Sequence, residues 1–402
     1  MFIDLSPLKE NTEYRKLFIG QTVSFFGSMM TYVAIPYQAY EITKSSFHVG
    51  LISTFQLIPL LAAGLYGGAL ADATERRKLL LWSEIGLFIC TLGFILNSYL
   101  SQPSYYLLVL IAALSSVLVG IHRPAMDAIV PQIVKKEHLP AVAALGSLRY
   151  SIGAVAGPAL GGILISQFGT ISTYSIDALT FLISAFAIYK MKSVQIPFAE
   201  NNVSFKSILE GIQYAYKTPV ILGTYLVDII AMVFAMPMAL YPQMVSEMNI
   251  SSKLGWLYAA IPLGAATTSI FSKPFSKIKR HGAGVIMAAT AWGIFIILMA
   301  FTQNIYLILS CLILAGAADN VSAIYRSTIW NEVIPANIRG RLGSLNMLSY
   351  MVGPLIGNVR AGSMAAMTNT HISILSGGIL CTLICFMCIW IFPKFWSYQS
   401  EI

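Results

Sequence analysis

Two tracts of this chain read alike: Leu145-Gly146-Ser147-Leu148 leading to Gly157-Pro158, and Leu342-Gly343-Ser344-Leu345 leading to Gly353-Pro354. Each follows an arginine and then a proline in the same order, Arg123 and Pro131 ahead of the first, Arg326 and Pro335 ahead of the second. Agreement in residue type, order and placement points to an internal duplication. Between the copies lies a polar segment, Lys192–Lys217, containing Pro197, Asn201, Asn202 and Ser204. It divides the chain into an N-terminal half, 1–191, a linker, 192–217, and a C-terminal half, 218–402.

The halves are too apolar to be covered by water. Hydrophobic residues fill 57% of the 402 positions and charged residues only 10%, whereas a soluble domain carries roughly a quarter charged residues. Mean hydropathy is +0.73. A membrane-spanning helix needs about 20 apolar residues, and the pattern predicts twelve spans, at 14–40, 48–71, 79–100, 105–126, 139–167, 171–190, 218–246, 253–276, 283–301, 305–328, 340–366 and 372–393. An outer-membrane barrel would alternate apolar and polar residues, but Leu79–Leu100 and Tyr105–Val119 are apolar in unbroken runs. The expected fold is an all-α membrane protein of two six-helix bundles.

The formal net charge of +8 is explained by where the cations fall. Arg76-Arg77-Lys78, Lys135-Lys136, Lys273 to Arg280, and Arg326 with Arg339 and Arg341 all belong to segments assigned to one side of the membrane. Only Lys44 and Lys253 fall on the opposite side, and only Arg149 and Arg360 inside spans. This is the positive-inside asymmetry. It places both termini in the cytoplasm and leaves no nucleic-acid partner to invoke. Cys90, Cys311, Cys381, Cys385 and Cys388 lie within spans and read as apolar packing residues; no metal site or cofactor is expected from them, since no His or carboxylate stands among them. Asp4, Lys9, Glu10 and Glu13 precede a full-length first span, so no cleavable signal peptide is expected.

Between the second and third spans stands Gly67-Gly68-Ala69-Leu70-Ala71-Asp72-Ala73-Thr74-Glu75-Arg76-Arg77-Lys78. Glycines allow close helix approach, and an acid among arginines can form a charge latch that holds one conformation and releases in another. The cations also enforce topology, but topology does not require Asp72. The stretch resembles the loop signature of the major facilitator superfamily, whose six-helix repeats place the substrate path at their interface. That resemblance implies a latch of Gly68, Asp72, Arg76 and Arg77, with Asp127 at the end of the fourth span as a partner for Arg76 or Arg77. The fifth span carries Gly153-Ala154-Val155-Ala156-Gly157-Pro158-Ala159-Leu160-Gly161-Gly162, similar to the antiporter motif of drug exporters. Gly153, Gly157, Gly161 and Gly162 would form a packing groove and Pro158 a bend; Ala144 stands where the family pattern has a further glycine.

Charges within spans are costly unless they face water or a partner. Asp228 lies about ten residues into the seventh span, near the middle of a core about 30 Å thick, and Arg149 is at similar depth in the fifth. Asp319 sits in the tenth span, Glu84 near the cytoplasmic start of the third, Asp177 and Arg360 nearer the far side, and His122 and His371 at helix ends. Structural ion pairing is the plain alternative for each. Depth favours Asp228 and then Asp319 as proton-coupling carboxylates, and Arg149 as a binder of an anionic substrate group. Glu84 suits a cytoplasmic charge network, and the two histidines solvated roles.

Gly255-Trp256-Leu257-Tyr258-Ala259-Ala260-Ile261-Pro262-Leu263-Gly264-Ala265-Ala266 resembles the corresponding segment of bacterial enterobactin exporters. Val130–Gly162 and Val49–Lys78 resemble them more loosely, and macrolide efflux pumps form the neighbouring branch. The resemblance implies a proton-driven siderophore exporter of the bacterial inner membrane, acting as a monomer on a small-molecule substrate, with a multidrug or macrolide antiporter as the alternative. A nutrient importer of the same fold is disfavoured by the antiporter-like motif. No His-Glu-x-x-His motif or paired nucleophile suggests an enzyme, and no phosphate-binding Gly-x-x-x-x-Gly-Lys loop an ATP-driven pump.

Overall fold

The computed structural model describes residues 4–192, 213–271, 273–275, 278–335 and 339–400. Positions 65–66, 68–69, 71–73 and 339–351 are described as helix backbone only. Among the described residues all regular structure is helical. In chain order the α-helices are α1 (Ser6–Glu10), α2 (Thr12–Thr43), α3 (Ser46–Ala73), α4 (Arg76–Tyr99), α5 (Tyr105–Ile133), α6 (Leu139–Tyr189), α7 (Pro219–Ala235), α8 (Tyr241–Glu247), α9 (Leu254–Ile270), α10 (His281–Ala300), α11 (Ile305–Val333), α12 (Arg339–Met367), α13 (Thr370–Ile391) and α14 (Pro393–Trp396).

Local sequence sets the helix starts. Asn11, Ser104, Asn304 and Asn369 cap α2, α5, α11 and α13, each side chain accepting from a backbone N–H of the first turn. Such caps satisfy donors that a helix leaves open. The α4–α5 connection is braced in the same way: Asn97 accepts from the Ser104 amide at 2.9 Å and donates to its carbonyl at 3.1 Å.

Nine helical stretches among the described residues are long and apolar enough to cross a membrane. At 1.5 Å per residue, an unbroken α6 would be roughly 75 Å long, more than twice a bilayer core. It is broken at Gly169, where φ is 75°, a left-handed conformation that suits glycine. The break falls between the expected spans 139–167 and 171–190. The expected span 253–276 is shorter in the structure, since α9 ends at Ile270 and Phe271 lies in a turn. Trp82, Leu96, Tyr106, Ile270 and Trp390 are exposed large apolar side chains, as lipid-facing helices require.

The chain forms two compact units: Met1–Lys44, Phe55–Val203 and Ile250–Gly255 make one, and Ser45–Thr54, Ser204–Asn249 and Trp256–Ile402 the other. Each is organised on the same device. In the first unit, the glycines of α6 lie against α2: a Cβ at Gly153 would strike the Phe25 ring, one at Gly157 the Met29 side chain, and one at Gly161 the Met30 backbone. In the second unit, Gly353 and Gly357 of α12 lie in the same way against Met232 and Met236 of α7 and its C-cap. The tracts that read alike in the sequence therefore make like contacts. Gly162 meets the Gly255 backbone at the start of α9, inside the first unit.

Gly157→Val is expected to overpack the α2–α6 seam by about 1–3 kcal/mol. Gly146→Val, at a position with nothing within 4 Å, serves as the control. Thermal midpoints in detergent should fall for the first and hold for the second; an equal fall in both would remove the packing role assigned to Gly157.

Candidate functional site

In the second unit, α7 and α11 are joined by a short polar zipper. Trp330 Nε1 donates to Thr224 Oγ1 at 2.8 Å, and the Trp330 and Tyr225 rings lie 5.2 Å apart. One turn away on both helices, Arg326 Nη1 pairs with Asp228 Oδ1. The two side chains retain only 10% and 8% of their exposure, so this pair is buried. Arg326 also reaches along its own helix, placing Nη2 3.8 Å from Asp319 Oδ1. Residues 319 and 326 lie about two helical turns apart and so share a face. The Asp319 carboxylate keeps 32% of its exposure, and next to it Asn320 donates to Thr268 Oγ1 of α9 at 2.9 Å.

Both carboxylates singled out by depth thus meet at one cation, a partner that the sequence reading had assigned to the cytoplasmic charge cluster. Arg326 is 8% exposed and lies inside α11. Its charge is used within the helix packing. Two carboxylates thus share one guanidinium.

The first unit presents a contrasting case. Arg149, on α6, lies over the Phe25 ring at 5.9 Å, and its Nε is buried without a hydrogen-bond partner. It forms no ion pair among the described residues. A cation stacked on an aromatic face and lacking an anion is suited to receive one. In the second unit, Arg360 donates to the Ser373 carbonyl at 3.0 Å and packs over Gly377.

The latch residues are distributed as follows. Arg76 is buried and donates to the Ala128 carbonyl at 3.0 Å, one residue beyond the exposed Asp127. Arg77 donates to the Ile188 and Tyr189 carbonyls at 3.1 and 2.7 Å, where a cation meets the open carbonyls of a helix C-terminus. Lys78 pairs with Glu75 at 3.1 Å. Gly68 and Asp72 belong to the end of α3, and their side chains lie outside the described residues. The bend residues Gly153, Gly157, Pro158, Gly161 and Gly162 are buried and form the seam described above.

Two further groups are more enclosed than their positions in sequence suggest. Glu84 is 1% exposed, accepting from Gln21 Nε2 at 2.6 Å and Ser24 Oγ at 3.2 Å, with His122 Nε2 3.2 Å away. Asp177, also 1% exposed, accepts from Thr31 Oγ1 at 2.5 Å and Thr180 Oγ1 at 3.3 Å. His371 is exposed, its Nδ1 2.9 Å from the Ala300 carbonyl oxygen. Cys381, Cys385 and Cys388 are buried and free.

A helical, multi-pass chain with charges buried in its spans belongs to the class of membrane transporters. The family model described as transmembrane secretion effector matches residues 3–399, and the chain is a member of that family, within the major facilitator superfamily. Members are transporters, not enzymes. The chain is 27% identical over 370 residues to the enterobactin exporter EntS of Salmonella choleraesuis, covering 91% of this chain and 88% of that protein. Its fold is shared by a mutant of the nucleoside transporter NupG (TM-score 0.78, 13% identity, 95% of this chain and 100% of the other). A bacterial homologue of the iron transporter ferroportin also shares it (TM-score 0.72, 15% identity, 96% and 98%).

Removing Arg326 while leaving Asp228 would break a buried pair, which costs about 3–5 kcal/mol. Arg326→Gln should therefore lower the thermal midpoint of the purified protein sharply, and adding Asp228→Asn should restore much of the loss. A double variant no more stable than Arg326→Gln alone would contradict the pairing.

Proposed function

We propose that this chain is a proton-coupled exporter that carries a siderophore-class anion from the cytoplasm to the periplasm. In this reading it has twelve spans in the inner membrane, with both termini cytoplasmic and its halves meeting the linker at 191 and 218, and it acts as a monomer. The observation that carries the coupling is the Asp228–Arg326–Asp319 cluster. Similarity to enterobactin exporters over 91% of the chain supports the substrate class and the direction.

The mechanism follows from charge balance. Arg326 offsets one carboxylate, and the buried Asp228 is the one it holds closely. Asp319 is left to be neutralised by a proton, and its partial exposure lets the proton arrive and leave. A partly exposed carboxylate is not expected to face lipid; it faces water or the substrate path. With a proton on Asp319, Arg326 is drawn wholly to Asp228, closing α7 on α11. When the proton leaves, the arginine is shared between two carboxylates and the α7–α11 contact loosens. A single proton thereby biases a two-state helix contact, which is what alternating access needs. Asp319 becomes the preferred proton carrier and Asp228 its electrostatic counterweight. Arg149 takes the anionic group of the substrate, since a planar guanidinium matches a carboxylate or catecholate in a bidentate way. Arg76 and Arg77, tied to carbonyls near helix ends, act with Asp72 as the releasable latch.

A strain lacking this gene, grown under iron limitation, should secrete several-fold less siderophore and retain the compound inside the cell. Unchanged secretion combined with greater sensitivity to macrolides would transfer the assignment to drug efflux.

A further inference from the structure

The first unit contains a second enclosed carboxylate with a titratable partner, and the proposed coupling does not use it. Glu84 lies about two turns into α4. Gln21 and Ser24 of α2 place one donor on each of its oxygens, His122 of α5 approaches Oε1, and Gln21 Nε2 extends on to Ser184 Oγ of α6 at 3.2 Å. Three helices thus meet at one carboxylate, and α6 joins them through Gln21. Both hydrogen-bond donors, Gln21 and Ser24, are neutral, and among the described residues no Lys or Arg lies within ion-pair distance of Glu84.

The contrast with Asp228 is chemical. Asp228 faces a guanidinium, whose charge is permanent. Glu84 faces an imidazole, which carries a charge only while it holds a proton. A carboxylate sealed from water needs an opposite charge or a proton, because an isolated buried ion is far more costly than a neutral acid. Gln21 and Ser24 support the anion in part, and one proton bound to the pair, on the imidazole or on the carboxyl, would complete the balance. The other charged groups on these helices are engaged elsewhere or exposed. On α6 the acidic Asp177 lies farther along the same α2 face, held by Thr31 and Thr180, and Arg149 is stacked on Phe25. On α5, Arg123 and Asp127 are exposed, beyond His122 in sequence. On α2, Glu13 and Lys16 pair with each other at its start, and Glu41 with Lys44 at its end. On α4 itself, Arg76, Arg77 and Lys78 occupy the first turn.

We infer that Glu84 and His122 form a proton-binding site in the first unit, separate from the Asp319 cluster of the second. His122 is the entry point: its side chain keeps 17% of its exposure, while that of Glu84 keeps 1%. The transporter would then load protons at two places, with the first-unit site reached from the end of α5 that carries Arg123 and Asp127. Only the role of this site in transport rests on the proton-coupled reading; proton occupancy can be measured without any substrate.

Infrared difference spectra of the purified full-length protein, recorded between acid and alkaline pH, report the C=O stretch of protonated carboxyl groups. Labelling all glutamates with ¹³C at the side-chain carboxyl separates Glu from Asp signals without any substitution. A buried, protonatable glutamic acid should appear as a narrow label-shifted band that responds to pH, disappears in Glu84→Gln, and is altered in His122→Gln. The Asp319 band should not respond to the label and should disappear only in Asp319→Asn. A label-shifted band that survives in folded Glu84→Gln, or no narrow titrating glutamate band in the wild type, would overturn the inference while leaving the Asp319 cluster intact. Loss of the aspartate band expectation alone would instead refute the Asp319 reading and leave this one standing.

Discussion

The buried pair of Asp228 and Arg326 is the interaction on which the second unit depends. In a low-dielectric helix bundle its attraction is strong, and so is the penalty when either partner is lost. It ties α7 to α11, fixes the direction of the guanidinium, and leaves Asp319 as the acid without a full counter-charge. Polar contacts around it are aligned to the same helix pair: Trp330 on Thr224 holds the next turn, and Asn320 anchors α11 to Thr268 and Ser269 of α9. The proposed proton site therefore stands on a fixed frame, not on a loop.

That frame is built by small residues. Where α6 passes α2 and α12 passes α7, glycines bring backbones to distances that a methyl group would forbid. Close approach substitutes for the hydrophobic driving force that is absent in lipid, where van der Waals packing and interhelical hydrogen bonds hold helices together. It also explains how polar side chains such as Gln21, Ser24 and Thr31 come within reach of acids on neighbouring helices. In the first unit the helix contacts yield a half-buried arginine that forms no ion pair among the described residues, and a carboxylate beside an imidazole. In the second they yield two carboxylates around one arginine. The two units share a scaffold and differ in chemistry.

Much of this was legible in the sequence because hydropathy, glycine spacing and depth in a span are one-dimensional properties. The Gly157-Pro158 and Gly353-Pro354 tracts announced like helix contacts, and Gly169 falls where the gap between two spans was expected. Partnership was harder to read. Arg326 lies close to the end of its span and was counted with the surface cations, although its two-turn spacing from Asp319 already put both on one face. Glu84 and His122 belong to different helices, and neither periodicity nor spacing shows which residues on separate helices meet. Their enclosure depends on the rotation of α4 and α5 about their axes, which hydropathy alone leaves open. Arg77 also meets carbonyls at the end of α6, which sequence spacing does not show, because an open helix C-terminus is itself a partner for a cation.

The central claim is that one proton, held where two carboxylates share one arginine, is exchanged for the substrate. Inside-out vesicles containing this protein, acidified within and loaded with a pH-sensitive dye, test it most directly. Adding a catecholate siderophore outside should alkalinise the lumen as the compound accumulates, and both signals should be lost in Asp319→Asn. Accumulation without proton movement, or unchanged proton movement in Asp319→Asn, would contradict the account.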